Sequence, residues 1–150
     1  VNLYGGARNH LSLVERGRRW FRVNAVGWLA LLLLCAAYIQ GGIYKATHFS
    51  EAIAEMQHFG LSPPPVMAVL VIAVELGASA LILTGRYRWF GASALAGFTF
   101  LATLMAYRFW EIAPPDRIMV MNGFFEHLGL IGGLLLVAWH DLRTSGASAP

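Results

Sequence analysis

Apolar positions gather in four runs, Ala25 to Tyr44, Val66 to Thr84, Trp89 to Trp110 and Met119 to Trp139, separated by short polar stretches. Each run reaches the roughly 18 to 20 residues that a helix needs to cross a bilayer core. The pattern therefore predicts an all-α fold: a transmembrane four-helix bundle. The first run is long, begins well inside the chain and is followed by no small-residue cleavage site, so it is expected to remain as a helix rather than be removed as a signal peptide.

Between the first two runs, KATHFSEAIAEMQHFGLSPPP carries a second kind of pattern. Ser50 can cap a short helix, Ile53, Met56 and Phe59 form an apolar stripe along it, and Gly60 stops it. This predicts a short interfacial amphipathic helix between helices 1 and 2, lying on the membrane surface. Pro63, Pro64 and Pro65 then suit the start of the second spanning helix, and Pro114 and Pro115 break the chain after the third. The turn GRYRW is so short that the second and third helices must be antiparallel neighbours. Residues 1–24 form an N-terminal tail, 25–139 a single transmembrane domain and 140–150 a C-terminal tail.

Composition strengthens the membrane assignment. Of 150 residues, 57% are hydrophobic and 13% charged, too apolar for a soluble domain of this size. The net charge of +3 does not indicate nucleic acid, because the basic residues sit beside helix ends. Arg8, Arg16, Arg18, Arg19, Arg22, Arg86, Arg88 and Arg143 fall on one side, and only Lys45, Arg108 and Arg117 on the other. The positive-inside rule then places both termini in the cytoplasm. Trp20, Trp28, Trp89, Trp110 and Trp139 lie near predicted helix ends, where interfacial anchors belong. Small residues recur at four-residue spacing in each helix (Ala37 and Gly41, Ala73 and Gly77, Ser93 and Gly97, Gly129 and Gly133), a spacing that permits close helix approach in lipid.

Against this background the intramembrane polar residues stand out. A charge near the bilayer centre costs about 2.5 to 3.5 kcal/mol on insertion scales, so each needs a partner or a task. Glu75 lies midway along its helix, with Ser79 one turn on. Glu126, His127 and Gln40 lie in the outer halves of their helices, and Lys45 and Arg108 mark outer ends. These seven residues can form a polar network facing the bundle interior, with two positive charges against two negative. One reading makes that network purely structural, since paired charges lower one another's burial cost.

A second reading makes it the polar end of a pocket roofed by Tyr44, Tyr107, Phe109 and Trp110 and shaped for a flat amphipathic molecule such as a quinone head group. A carboxylate and an imidazole would then handle protons there. A third, haem or chlorophyll ligation by His127, lacks a facing second imidazole in the pattern. Cys35 is the sole cysteine, which leaves no disulfide, no CxxC pair and no thiolate cluster, and no His spacing suggests a metal site.

The order of landmarks resembles that of the DoxX family of small prokaryotic four-helix membrane proteins. The landmarks are QGGIYK at the end of the first helix, FGLSPPP closing the loop, VELGASALILTG in the second helix, YRFW ending the third and HLGLIGGLLLV in the fourth. The resemblance runs from about Trp20 to Trp139. It implies association with membrane electron transfer, since members resemble the membrane subunit of a thiosulfate:quinone oxidoreductase or accessory components of redox systems. Two departures accompany it. The family often has a histidine where this chain has Tyr107, and a Lys-Asn pair where this chain has Glu126 and His127. The second change reverses a charge, so the partner of Glu75 here must be Lys45 or Arg108.

Two function classes follow. One is a non-catalytic accessory subunit of a larger electron-transfer complex, its polar tails VNLYGGARNHLSLVERGRR and TSGASAP docked on other membrane subunits. The other is a quinone-reactive subunit of an oxidoreductase, with Glu75, Glu126 and His127 near the head group and Lys45 or Arg108 polarising an oxygen. A transporter would call for an internal repeat or a broken midplane helix, which the sequence does not suggest.

Overall fold

Helix boundaries follow the proline and glycine punctuation. The computed structural model describes residues 5–146, with side chains described for 24–144. Its elements are α1 (Gly5–Thr47), α2 (Phe49–His58), α3 (Pro64–Thr84), α4 (Arg88–Ala106), a 3-10 turn at Phe109–Glu111 and α5 (Arg117–Gly146). The outermost parts of the two polar tails, residues 1–4 and 147–150, lie outside the described residues. α1 and α5 run beyond the apolar stretches of the sequence, to Gly5 and Gly146.

Pro64 opens α3 at a position where a missing backbone N–H costs nothing. Gly85 ends the same helix in the left-handed conformation at φ 77°, and Tyr87, two residues on, adopts φ 53°, so the chain reverses within three residues. Arg88 steadies this reversal by donating from Nε to the Ile82 carbonyl at 2.9 Å. At the α4 N-terminus, the Trp89 backbone N–H donates to Asp141 Oδ2 on α5 at 3.0 Å, which satisfies one of the donors that a helix start leaves orphaned.

Among the described residues four segments are long and apolar enough to cross a membrane: Asn24–Thr47, Pro64–Thr84, Arg88–Glu111 and Arg117–Thr144. The shortest has 21 residues, and at about 1.5 Å per residue it matches a hydrocarbon core of about 30 Å. The protein is an all-α, multi-pass membrane protein.

The chain divides between Leu33 and Leu34 into two units, and the contacts described below all lie within the second. Its core is built from Cys35, Tyr38, Ala78, Ile82, Ala92, Leu95, Ala96, Leu134 and Ala138, all buried. Much of it is alanine, which brings backbones close where dispersion rather than water exclusion holds helices together. Gly91 lets α4 approach the α3 backbone: a Cβ there would stand 2.7 Å from the Ala78 carbonyl oxygen. Gly42 does the same between α1 and α3, where a Cβ would meet Leu76 Cγ at 2.7 Å.

Two expectations need correction. The short interfacial element is the 3-10 turn Phe109–Glu111 between α4 and α5, not an amphipathic helix on the membrane surface between the first two spanning helices. The segment after α1 does form α2, but α2 is packed inward. Ala52 and Met56 are buried against Ala68 of α3, with Ile53, Leu61, Met67 and Val71 around them. Its apolar stripe therefore meets protein instead of lipid, and Ser50 makes no cap, the N-cap position being His48.

The small-residue spacing also misleads in part. Gly77, Gly97 and Gly129 have nothing within 4 Å of a built Cβ, since they lie away from the faces that carry the core, whereas Gly42 and Gly91 make the close contacts. The third spanning segment is likewise broken. α4 stops at Ala106, because Tyr107 leaves helical geometry and lays its ring on Gly123 of α5.

Candidate functional site

One cavity of about 500 Å³ lies between the end of α1, α2, α3, α4 and α5. Its polar lining comes from Tyr38, Lys45, Glu55, Glu75, Thr99, Tyr107 and His127. The rest is apolar, with Met56, Phe59, Met67, Phe98 and Met105 prominent.

The ion pair dominates the α1–α3 wall. Lys45 Nζ lies 3.2 Å from Glu75 Oε1 and donates to it, with Oε2 at 3.5 Å. The side chains are 17% and 7% exposed, so little water screens the pair. Helix periodicity explains its position: Tyr38, Gly41 and Lys45 follow at i, i+3 and i+7 on one face of α1. Gly41 leaves the space in which the pair sits, for a Cβ there would be 3.5 Å from Lys45 Nζ and 3.6 Å from both Glu75 oxygens. Ser79 does not bond the carboxylate; its hydroxyl donates back to the Glu75 carbonyl at 2.6 Å.

On the α4–α5 wall a ladder of hydroxyls leads to His127. Thr99 Oγ1 lies 2.6 Å from the Leu95 carbonyl and Thr103 Oγ1 lies 2.6 Å from the Thr99 carbonyl. Tyr38 Oη is 2.6 Å from Thr99 Oγ1, and His127 Nδ1 is 2.9 Å from Thr103 Oγ1. The Tyr107 ring stands edge-on to the His127 imidazole at 4.5 Å between centroids. Among the described residues no buried side-chain nitrogen or oxygen lacks a partner.

Of the residues singled out in the sequence, Lys45, Glu75, Tyr107 and His127 share the cavity, and Ser79 supports it from behind. The others lie elsewhere. Arg108 pairs with Glu111 at 3.6 Å on an exposed surface and donates from Nε to the Leu104 carbonyl, so it is not a partner of Glu75. Glu126 and Gln40 are exposed. Tyr44 turns to the α1–α2 corner, where its hydroxyl donates to Glu51 at 2.7 Å and its ring stacks on His48. Phe109 and Trp110 join Phe124 and Phe125 in an aromatic cluster outside the cavity lining. A balanced network of seven residues is thus replaced by one ion pair and one hydroxyl–imidazole ladder.

The sequence pattern does not mark Tyr38, Glu55, Thr99 or Thr103 as site residues, and it marks Gly41 only as a small packing residue. The signal for three of them was available: Tyr38 lies on the helical face of Lys45, and Thr99 and Thr103 are spaced one turn apart. Among the described residues no group of three or more His, Cys, Asp or Glu side chains is placed to hold a metal ion. His48 and His127 each take a separate partner, Tyr44 and Thr103.

The fold and cavity define a multi-pass helical membrane protein with a polar pocket inside its bundle. A family model described as DoxX matches residues 27–108, more than half of the chain, and the chain belongs to the DoxX family. The match covers the spanning part of α1 through α4 and ends before α5, which carries His127. No curated protein and no solved structure gives a match.

Proposed function

We propose that this DoxX-family protein is a quinone-binding membrane subunit of a bacterial electron-transfer complex. The observation that carries the reading is the cavity: about 500 Å³, largely apolar, with a dry Lys45–Glu75 pair on one wall and His127 beside Tyr107 on another. Pockets of this size and composition, with a few convergent polar groups, suit a small amphipathic ligand. A bound quinone supplies two-electron, two-proton redox chemistry that the side chains themselves do not. The electrons are assigned to a partner protein, because the sequence's one cysteine offers neither a dithiol nor a cluster ligand set.

In this reading Lys45 retains donor capacity beyond the two contacts with Glu75, and points that capacity at a ligand oxygen. Glu75 fixes the ammonium in place. Glu55, exposed at the α2 rim of the cavity, carries protons between the site and water. Met56, Phe59, Met67 and Met105 exclude water from the head group and adapt to its shape. With both termini in the cytoplasm, as the arginine distribution favours, the Lys45 end of the cavity lies on the outer side of the membrane.

Titration of a short-chain benzoquinone into the protein in lipid nanodiscs tests the reading. Saturable binding is expected in the wild type, with affinity reduced about tenfold or more in Glu75→Gln and in Lys45→Met. Equal partitioning in all three proteins would overturn it.

A further inference from the structure

Hydrogen-bond polarity inside the cavity makes a finer assignment, which rests on the quinone-site reading. Two oxygens 2.6 Å apart must have a proton between them. The Thr103 hydroxyl has a single proton, and its 2.6 Å contact with the Thr99 carbonyl takes it. Thr103 Oγ1 is then an acceptor towards His127 Nδ1 at 2.9 Å, so Nδ1 carries a hydrogen. In the neutral imidazole this leaves Nε2 with a bare lone pair, and among the described residues the hydrogen bond of the ring is the one at Nδ1.

The same reasoning applies to Tyr38. Thr99 Oγ1 gives its proton to the Leu95 carbonyl at 2.6 Å, so the Tyr38 hydroxyl must donate to Thr99. Tyr38 Oη keeps only acceptor capacity for a ligand. The cavity therefore offers two acceptors, His127 Nε2 from α5 and Tyr38 Oη from α1, while Lys45, on the same face of α1 as Tyr38, and the Tyr107 hydroxyl can donate.

A quinone has two carbonyl acceptors and no donor, whereas its hydroquinone has two hydroxyls that both donate and accept. We propose that the cavity selects the hydroquinone over the quinone, with His127 Nε2 as the specificity-determining acceptor and Thr103 as the residue that fixes its tautomer. A quinone placed there faces a lone pair with a lone pair. Preferential binding of the reduced form also raises the potential of the couple bound in the site, by linkage.

The test uses two redox-inert probes of nearly equal shape, a 4-alkylphenol and its methyl ether, titrated into the full-length protein in lipid nanodiscs. Nitrogen-15 NMR of the histidine side chains is recorded on the same samples. The phenol is expected to bind roughly three to ten times more tightly than the ether. His127→Phe should abolish that ratio, and the wild-type spectrum should show the Nδ1-protonated tautomer for His127. Thr103→Val, which removes the acceptor from Nδ1 and conserves volume, should shrink the ratio and release the tautomer.

Equal binding of phenol and ether in the wild type would overturn the polarity assignment and leave the quinone site standing. A ratio that survives His127→Phe, or an Nε2-protonated His127, would overturn it as well. Binding of neither probe, nor of a benzoquinone, would overturn the site itself.

Discussion

Lys45 on α1 and Glu75 on α3 face each other at 3.2 Å across a glycine step, and this contact ties the C-terminal end of the first spanning helix to the middle of the second. A pair with so little exposure is sensitive to loss of one member, since the remaining charge must then be buried alone. Lys45→Met should destabilise the folded protein by about 3 kcal/mol. The double variant Lys45→Met with Glu75→Leu should recover most of that loss. Reversible unfolding in mixed micelles, run as a double-mutant cycle, checks both.

Gly91 sits against a backbone oxygen, which cannot move aside as a side chain can. Gly91→Ala should separate α3 from α4 and lower stability by about 1 to 3 kcal/mol. Gly97→Ala, with open space around the new methyl group, should change stability by under about 0.5 kcal/mol. Thermal unfolding of the two variants side by side is the measurement.

Much of the architecture was legible in the sequence, and the reason is physical. Bilayer thickness imposes a run length, and the four apolar segments reported it directly. Helix packing was less legible, because small residues at Gly77, Gly97 and Gly129 carry the same spacing as those that touch a neighbour. The α2 stripe of Ile53 and Met56 suggests, by sequence alone, a helix lying on the membrane surface. An apolar stripe does not reveal whether lipid or protein covers it, and here Ala68 and Met67 of α3 do.

At the cavity, Lys45, Glu75, Tyr107 and His127 stood out as polar or aromatic residues at membrane depth. Tyr38 and Thr103 did not, for a tyrosine and a threonine in a helix carry no charge to mark them. Arg108 looked equivalent to Lys45 by sequence position. The break after Ala106 swings it instead to Glu111.

The ring of Tyr107 lines the cavity and lies over Gly123, where a built Cβ would stand 2.7 Å from Tyr107 Cδ1. Gly123→Ala should displace the ring and disturb its edge contact with His127. A loss of ligand affinity of about tenfold is expected, with helix content unchanged. Binding isotherms and far-ultraviolet circular dichroism on the same preparation report the two effects separately.

Removal of the Tyr38 hydroxyl has a smaller consequence. Tyr38→Phe breaks one buried hydrogen bond to Thr99, whose own proton remains on the Leu95 carbonyl. A cost of about 1 kcal/mol in stability is expected, again read from reversible unfolding.

The quinone site is tested most directly by photolabelling the membrane-embedded protein with an azido-benzoquinone and mapping the modified peptides. Labels are expected on the cavity-lining faces of α3 and α4, around Val71, Phe98, Ala102 and Met105, competed away by excess unlabelled quinone and diminished in Glu75→Gln. Labels confined to outward-facing positions such as Val69, Leu135 and Leu136, unaffected by competitor, would contradict it.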